Sequence, residues 1–426
     1  MLILGALALL FICIAVYLFT QSGGGNDTES PVPSDQGLVV APTAVPNTPA
    51  SAVVPDTPVP TAKPFVAPAG TTTGQSWLVM LYQDADDKIL EQDIYVDLNE
   101  AERVGSSDNV RIVAQIDRYA GGYSKDGNWT TARRYYVTRD NDLEHVGSQL
   151  VADLGEQNMS DPNTLVDFVT WAVKTFPSDK LVLILSDHGM GWPGGWTDPA
   201  PATRGDSSSP LAAAVGNQLY LNELDTALQA IRERTGVDKF ELIGLDACLM
   251  GQLEVLTALA PHARYAVTSE ETEPSLGWAY ASFLKALEAN PAMTGAELGK
   301  LIVNSYVNDD ERIVDDAARA ELVGRSSPMG TLFDSEIPTS AEVARQMART
   351  ITLSVVDLSK VPALVARVNE LCVALQGVNQ RPVAQARSYA KSFTNVFGGQ
   401  VPPPYIDLGN FVQLLQQVNA GASVGQ

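Results

Sequence analysis

The chain has 426 residues, room for two or three domains at roughly 150 residues each. An apolar content of 45% supports a sizeable core. The net charge of -22 excludes a nucleic-acid surface, which needs clustered Lys and Arg, and suits either basic substrates or plain solubility.

Met1 to Thr20 carries no charged side chain. About 20 apolar residues span the roughly 30 Å of a bilayer's hydrocarbon, and the run is long for a signal-peptide core. Residues 1–22 therefore read as a transmembrane signal-anchor, with a cleaved signal peptide as the alternative because Thr20-Gln21-Ser22 offers a small-x-small site. Residues 23–75 follow as a Pro/Thr/Ala-rich disordered linker, with ten prolines between Pro31 and Pro68. A spacer of this kind holds a domain away from a membrane, on the non-cytoplasmic side. Of the three cysteines, Cys13 lies in the apolar run, so a disulfide framework is not expected.

Folded sequence begins near Ser76. Trp77–Tyr82, Val110–Ile116, Leu181–Leu185 and Phe240–Leu245 are continuous apolar runs of strand length, as in a parallel sheet buried on both faces. Between them, Leu165, Phe168, Val169, Ala172 and Phe176 form a helical stripe with Pro162 near its start. Leu221, Leu224, Leu228 and Ile231 form a second stripe, with Asn222 as a cap and Gly236 as the stop. Alternating strands and amphipathic helices predict an α/β core over 76–285 with helices on both faces. Residues 286–426 read as a mainly helical C-terminal subdomain, with a strand at Thr352–Leu358.

Two strands end in the same way. Leu181–Leu185 runs into Ser186-Asp187-His188-Gly189, and Phe240–Leu245 runs into Asp246-Ala247-Cys248. Sites in open α/β sheets form outside the carboxyl ends of the strands, so His188 and Cys248 would face one crevice. A thiol beside an imidazole is the pair that nucleophilic catalysis needs. Leu249–Leu259 reads as a helix ended by Pro261, whose dipole would lower the Cys248 pKa. The N–H groups of Gly189 and Cys248 are candidate oxyanion donors. A lone buried Cys or His is more often structural; it is the matched strand-end setting that favours catalysis. Asp84, Asp86 and Asp87 could hold a cation after the first strand, although the register of a calcium-binding EF-hand is absent and a capping role is the default. His145 and His262 lack ligand-spaced partners, so no metal site is assigned to them, and Cys372 lies on an apolar helical stripe.

These motifs resemble the caspase-like clan of cysteine peptidases and, within it, the clostripain family. The resemblance rests on Trp77–Asp86, Ser186–Trp192, Leu245–Met250, and Ser269–Pro274 with Gly277-Trp278. It extends loosely to Tyr405–Gly409. It implies a caspase-like three-layer sandwich and a His188/Cys248 dyad. It also implies cleavage after basic residues, Arg foremost, with Asp246 in the pocket for the basic side chain. Asp246 reads equally well as a helix N-cap. One of Glu270, Glu271 and Glu273 could complete that pocket. Relatives are processed between the dyad members, which makes Arg204, in the Pro/Ala/Ser/Gly-rich 197–216 interval, a candidate self-cleavage site. No cofactor is expected, although some relatives depend on calcium. Partners would be proteins or peptides with basic residues, outside the cytoplasm. A non-catalytic binding module on a stalk and a thiol-dependent transpeptidase are the competing readings.

Overall fold

A computed structural model describes residues 75–198, 216–326, 337–399 and 401–418. The N-terminal run, the proline-rich stretch and Arg204 lie outside the described residues.

One eight-stranded sheet organises the chain, in the order β10-β9-β8-β5-β1-β2-β3-β4. Its strands are β1 (Trp77–Ala85), β2 (Val110–Arg118), β3 (Arg133–Tyr136), β4 (Gln149–Asp153), β5 (Lys180–Ser186), β8 (Phe240–Asp246), β9 (Ala263–Ser269) and β10 (Leu353–Asp357). A two-residue pair, β6 (Gly194–Gly195) and β7 (Leu219–Tyr220), stands apart. β2, β1, β5, β8 and β9 run parallel, while β3, β4 and β10 are antiparallel additions at the two edges.

The four apolar runs are β1, β2, β5 and β8, and they are apolar throughout because both faces are covered. Leu78, Met80 and Tyr82 of β1 face α2 (Pro162–Thr175), α3 (Leu221–Thr235) and α4 (Leu253–Leu259). Trp77, Val79 and Leu81 face α1 (Glu91–Glu102), α5 (Tyr280–Ala289) and α6 (Gly295–Asp309). The result is the expected three-layer sandwich. Helices α7 (Glu311–Val314), α8 (Asp316–Ser326) and α9 (Ser340–Met347) continue the second layer, joined to it through Ile313, Leu322 and Ala344. The remaining helices are α10 (Val361–Gln376), α11 (Gln380–Tyr389) and α12 (Leu408–Gln417); Ala386 and Leu415 centre a small separate core there.

Two local expectations are corrected. The helix after Cys248 starts at Leu253 with Gln252 as its N-cap, because residues 247–252 form turns. Cys248 is therefore not at a helix N-terminus, and Asp246 is the last residue of β8, not a cap. In α3, Tyr220 is the N-cap and Asn222 lies inside the first turn; Gly236 does end the helix, at φ +75°.

Candidate active site

The parallel register aligns Gln83 of β1 with Ser186 of β5, and Ser186 with Asp246 of β8. The residues that follow each strand therefore emerge side by side. His188 and Cys248 line one cavity of about 240 Å³, together with Asp93, Asp97, Asp187, Asp246, Glu273 and Arg325.

Backbone geometry fixes the two loops. A Cβ on Gly189 would lie 2.2 Å from the Cys248 carbonyl oxygen, so only glycine lets the His188 loop approach the Cys248 turn. Gly189 also bridges Gly195, and the N–H of Trp196 donates to the His188 carbonyl at 2.9 Å. Leu249, directly after the thiol, has φ +64°. A non-glycine residue there is strained. Its fully buried side chain and its N–H, which donates to Glu271 O at 3.2 Å, hold the turn that aims Cys248.

His188 has a partner that sequence spacing concealed. Its Nε2 lies 3.5 Å from Asp87 Oδ2. Asp87 is fixed in turn by the N–H groups of Ile89 and Leu90, at 2.7 and 2.8 Å. Burial disfavours the imidazolium, but the Asp87 hydrogen bond and the charges of Asp187 and Asp87 outweigh it, and the His188 pKa stands at about 9. Cys248 moves the other way: burial, reinforced by the charges of Glu273, Glu271 and Asp246, pushes its thiol up to about 12. Its sulfur accepts the Glu273 N–H at 3.3 Å. The resting pair is thus a neutral thiol and an imidazolium.

The acidic candidates separate. Asp246 Oδ2 accepts from Tyr280 OH at 2.9 Å, and burial raises the Asp246 pKa to about 6. Glu273 Oε2 accepts from Trp278 Nε1 at 3.0 Å and from Tyr306 OH at 3.3 Å. Burial and the neighbouring charge of Asp246 hold the Glu273 carboxyl well above its ordinary value. These two acids share the cavity; Glu270 and Glu271 do not line it. The Glu271 carboxylate instead accepts the N–H groups of Thr394 and Thr272, tying the C-terminal segment to the Cys248 side of the site.

The three early aspartates divide as well. Asp87 serves His188. Asp86 comes together with Glu156 and Asp198, their carboxylate oxygens within 4.8 Å of one another. Asp84 is fully buried beside them, and neither of its oxygens has a hydrogen-bond partner. This all-oxygen set fits a hard cation, whose ligands sit about 2.3–2.6 Å from the metal.

Asp93 and Asp97 on α1 and Arg325 complete the wall, with Arg312 behind it on Asp97. None of these four was singled out in the sequence, because no motif links them. Arg312 is buried and donates to Asp97 Oδ1 at 2.6 Å and to Asp310 Oδ2 at 2.9 Å.

Comparison with known proteins agrees with this architecture. A model of the clostripain family matches residues 81–424. Clostripain of Hathewaya histolytica is 28% identical over 204 residues, which is 44% of this chain and 36% of that protein, so the chain matches little more than a third of its relative's length. The X-ray structure of a secreted C11 cysteine protease from Bacteroides thetaiotaomicron, in complex with an irreversible peptide inhibitor, shares the fold. Its TM-score is 0.51 at 19% identity, covering 82% of this chain and 80% of that one. With strand ends, cavity and family match in agreement, the chain belongs to the clostripain family of cysteine peptidases.

Proposed function

We propose that this protein is an endopeptidase that cuts after basic residues, Arg foremost, with Cys248 as nucleophile and His188 as general acid and base. The observation that carries this reading is the cavity itself, in which the thiol and the imidazole stand beside the paired acids Asp246 and Glu273. A guanidinium entering there meets carboxylates in a largely desolvated setting, where bidentate pairing is strong.

The chemistry follows from the charge states. The thiol releases its proton to solvent as the substrate binds, since His188 already carries one, and the thiolate attacks the carbonyl carbon. Charge develops on the carbonyl oxygen, for which the N–H groups of Gly189 and Cys248 are the donors. His188, already protonated at neutral pH, gives its proton to the leaving amine. The acyl group remains on Cys248 as a thioester. Neutral His188 then draws a proton from the water that cleaves the thioester; Cys248 leaves as thiolate, and taking back a proton from solvent restores the thiol and imidazolium pair. Asp87 holds the imidazole in place through both steps.

Further parts of the reading are self-cleavage after Arg204 and an N-terminal anchor that keeps the catalytic domain outside the cytoplasm. Among the described residues, no helix is long and apolar enough to cross a membrane. If a hard cation binds, Asp86, Glu156 and Asp198 would hold it, and its contribution is structural: it fixes the segment that reaches Asp187 through the Thr197 N–H, at 2.7 Å.

The test is fluorogenic cleavage of short peptides ending in Arg, Lys, Ala or Asp. Turnover after Arg that disappears in Cys248→Ala is the expected result. Turnover that survives Cys248→Ala overturns the nucleophile assignment, and equal rates after Arg and Ala overturn the specificity.

A further inference from the structure

The cavity beside the dyad already contains a guanidinium. Arg325 of α8 lines it together with His188 and Cys248, and its Nη2 donates to Asp93 Oδ1 at 2.7 Å. Apart from His188, it is the only cationic side chain among the described residues that line this cavity.

Two arginines approach Asp93, and they differ in kind. Arg312 has a side chain only 6% exposed and is bound by several acids, and its Nη1 also donates to the Asp93 carbonyl at 3.1 Å. It is fixed behind the wall, outside the cavity lining. The Arg325 side chain is 32% exposed and, among the described residues, pairs with one carboxylate, that of Asp93. The pair is open to solvent on the Arg325 side alone, the Asp93 side chain being 3% exposed, so it is the long arginine side chain that can swing away. If Arg325 leaves, Asp93 is not stranded, because Arg312 Nη1 remains 3.8 Å from the same oxygen. Leaving a buried charge unpaired is the main cost of breaking such a pair, and the nearby Arg312 charge reduces that cost.

We propose that Arg325 is a built-in competitor for the basic-residue pocket: its guanidinium occupies the acidic wall that a substrate's basic side chain must reach, and is displaced when that side chain enters. This rests on the basic-residue reading of the site. The exchange needs only the side chain. The helix itself stays docked, through Gln92 Nε2 donating to Glu321 Oε1 at 2.9 Å and Arg319 Nη1 donating to Ile313 O at 2.7 Å. Arg325 thereby sets the affinity threshold for basic side chains, and neutral substrates gain nothing from its removal.

The experiment compares the full-length protein with Arg325→Ala, Arg325→Gln and Arg325→Lys. Alkylation of Cys248 is timed with an arginyl chloromethyl ketone, an alanyl chloromethyl ketone and iodoacetamide. Both neutral variants should react with the arginyl reagent about three- to tenfold faster than wild type, a tenfold change corresponding to about 1.4 kcal/mol. Measured against the alanyl reagent and iodoacetamide on the same protein, the gain should be specific to the arginyl reagent, and Arg325→Lys should stay near wild type. If the arginyl reagent outpaces the alanyl one on wild type, but the neutral variants are no faster with it, the competitor role is overturned and the pocket reading stands. If arginyl and alanyl reagents react alike on every protein, the pocket reading itself fails. A general acceleration that includes iodoacetamide marks a loosened site and also overturns the proposal.

Discussion

Replacing Asp87 with Asn isolates what holds the charge on His188. An imidazole that keeps its proton to about 9 instead of about 6.5 has its charged form favoured by roughly 3 kcal/mol. Burial opposes that charge, so the carboxylates around it supply more than the whole gain. Asp87 provides a hydrogen bond and a Coulombic share, whereas Asp187 provides a Coulombic share alone. Asn fills the same space and still offers Oδ1 to the N–H groups of Ile89 and Leu90, but it carries no charge. The His188 pKa should then fall to about 7, leaving about a tenth of it protonated at pH 8. Turnover at that pH should drop about 10- to 100-fold, with little change in KM because Asp87 does not line the cavity. The readout is imidazole NMR in a Cys248→Ala background. The chain has only three histidines, in distinct settings: exposed His145 is raised by its hydrogen bond to Asp142, and His262 is lowered by burial. Asp87→Asn should move His188 alone. A His188 signal that titrates near 6.5 in the parent, or that ignores the substitution, refutes the reasoning.

Glu273→Gln should raise KM for arginyl peptides by about 10- to 100-fold, while Glu270→Gln, outside the cavity, changes it less than twofold; equal effects from the two would remove Glu273 from the pocket. Gly189→Ala forces a Cβ against the Cys248 carbonyl, so steady-state assays should show a loss of at least about 100-fold and thermal unfolding a cost of about 1–3 kcal/mol; full activity would show that the loops part freely. Burial raises Glu102 and Asp187 to about 7, and carboxylate partners raise His188 to about 9. All three hold protons in the folded state that the unfolded chain releases, so their stabilisation is present in full below about pH 4 for the acids and about 6.5 for the histidine. It fades as pH rises through 7 and 9, and the melting temperature should fall from pH 5.5 to 9; a rise over that range contradicts the sign. Millimolar calcium should raise the melting temperature at pH 8 in wild type and not in Glu156→Gln, and an equal shift in both would mean that Asp86, Glu156 and Asp198 do not hold the ion.

What the sequence made legible follows a physical line. β1, β2, β5 and β8 are buried on both faces, so apolar run length alone marks them, and the strand-end rule then brings His188 and Cys248 together. The antiparallel edge β3–β4 was missed because an edge strand need not be apolar: Arg133-Arg134-Tyr135-Tyr136 spends its arginines on Asp153 and Asp167. Residues 249–252 read as the start of a helix because Leu249, Met250 and Leu253 keep helical spacing, while the positive φ of Leu249 leaves no trace in composition. Asp87 was visible only as one of three nearby aspartates. Its pairing with His188 depends on β1 and β5 being neighbours, and no local pattern encodes that. Asp93, Asp97 and Arg325 were invisible for the same reason, since two hundred residues of chain separate the pocket wall from the side chain that reaches it.

The pocket and the thiol are also coupled electrostatically. Burial comes first in holding Cys248 near 12, but the next contributions that raise it are the charges of Glu273, Glu271 and Asp246. Two of those three are the pocket acids. A thiol held that high is almost entirely protonated at pH 8. A guanidinium set between Asp246 and Glu273 cancels the field that suppresses ionisation, and each tenfold gain in thiolate is worth about 1.4 kcal/mol of barrier. A neutral side chain of the same shape fills the pocket without that cancellation. Discrimination by this site should therefore appear in kcat as well as in KM, because part of the binding interaction is realised only where the nucleophile must be charged. On the proposed specificity, the carboxylates that would select the substrate are the same ones that help hold the thiol neutral until a cation is in place.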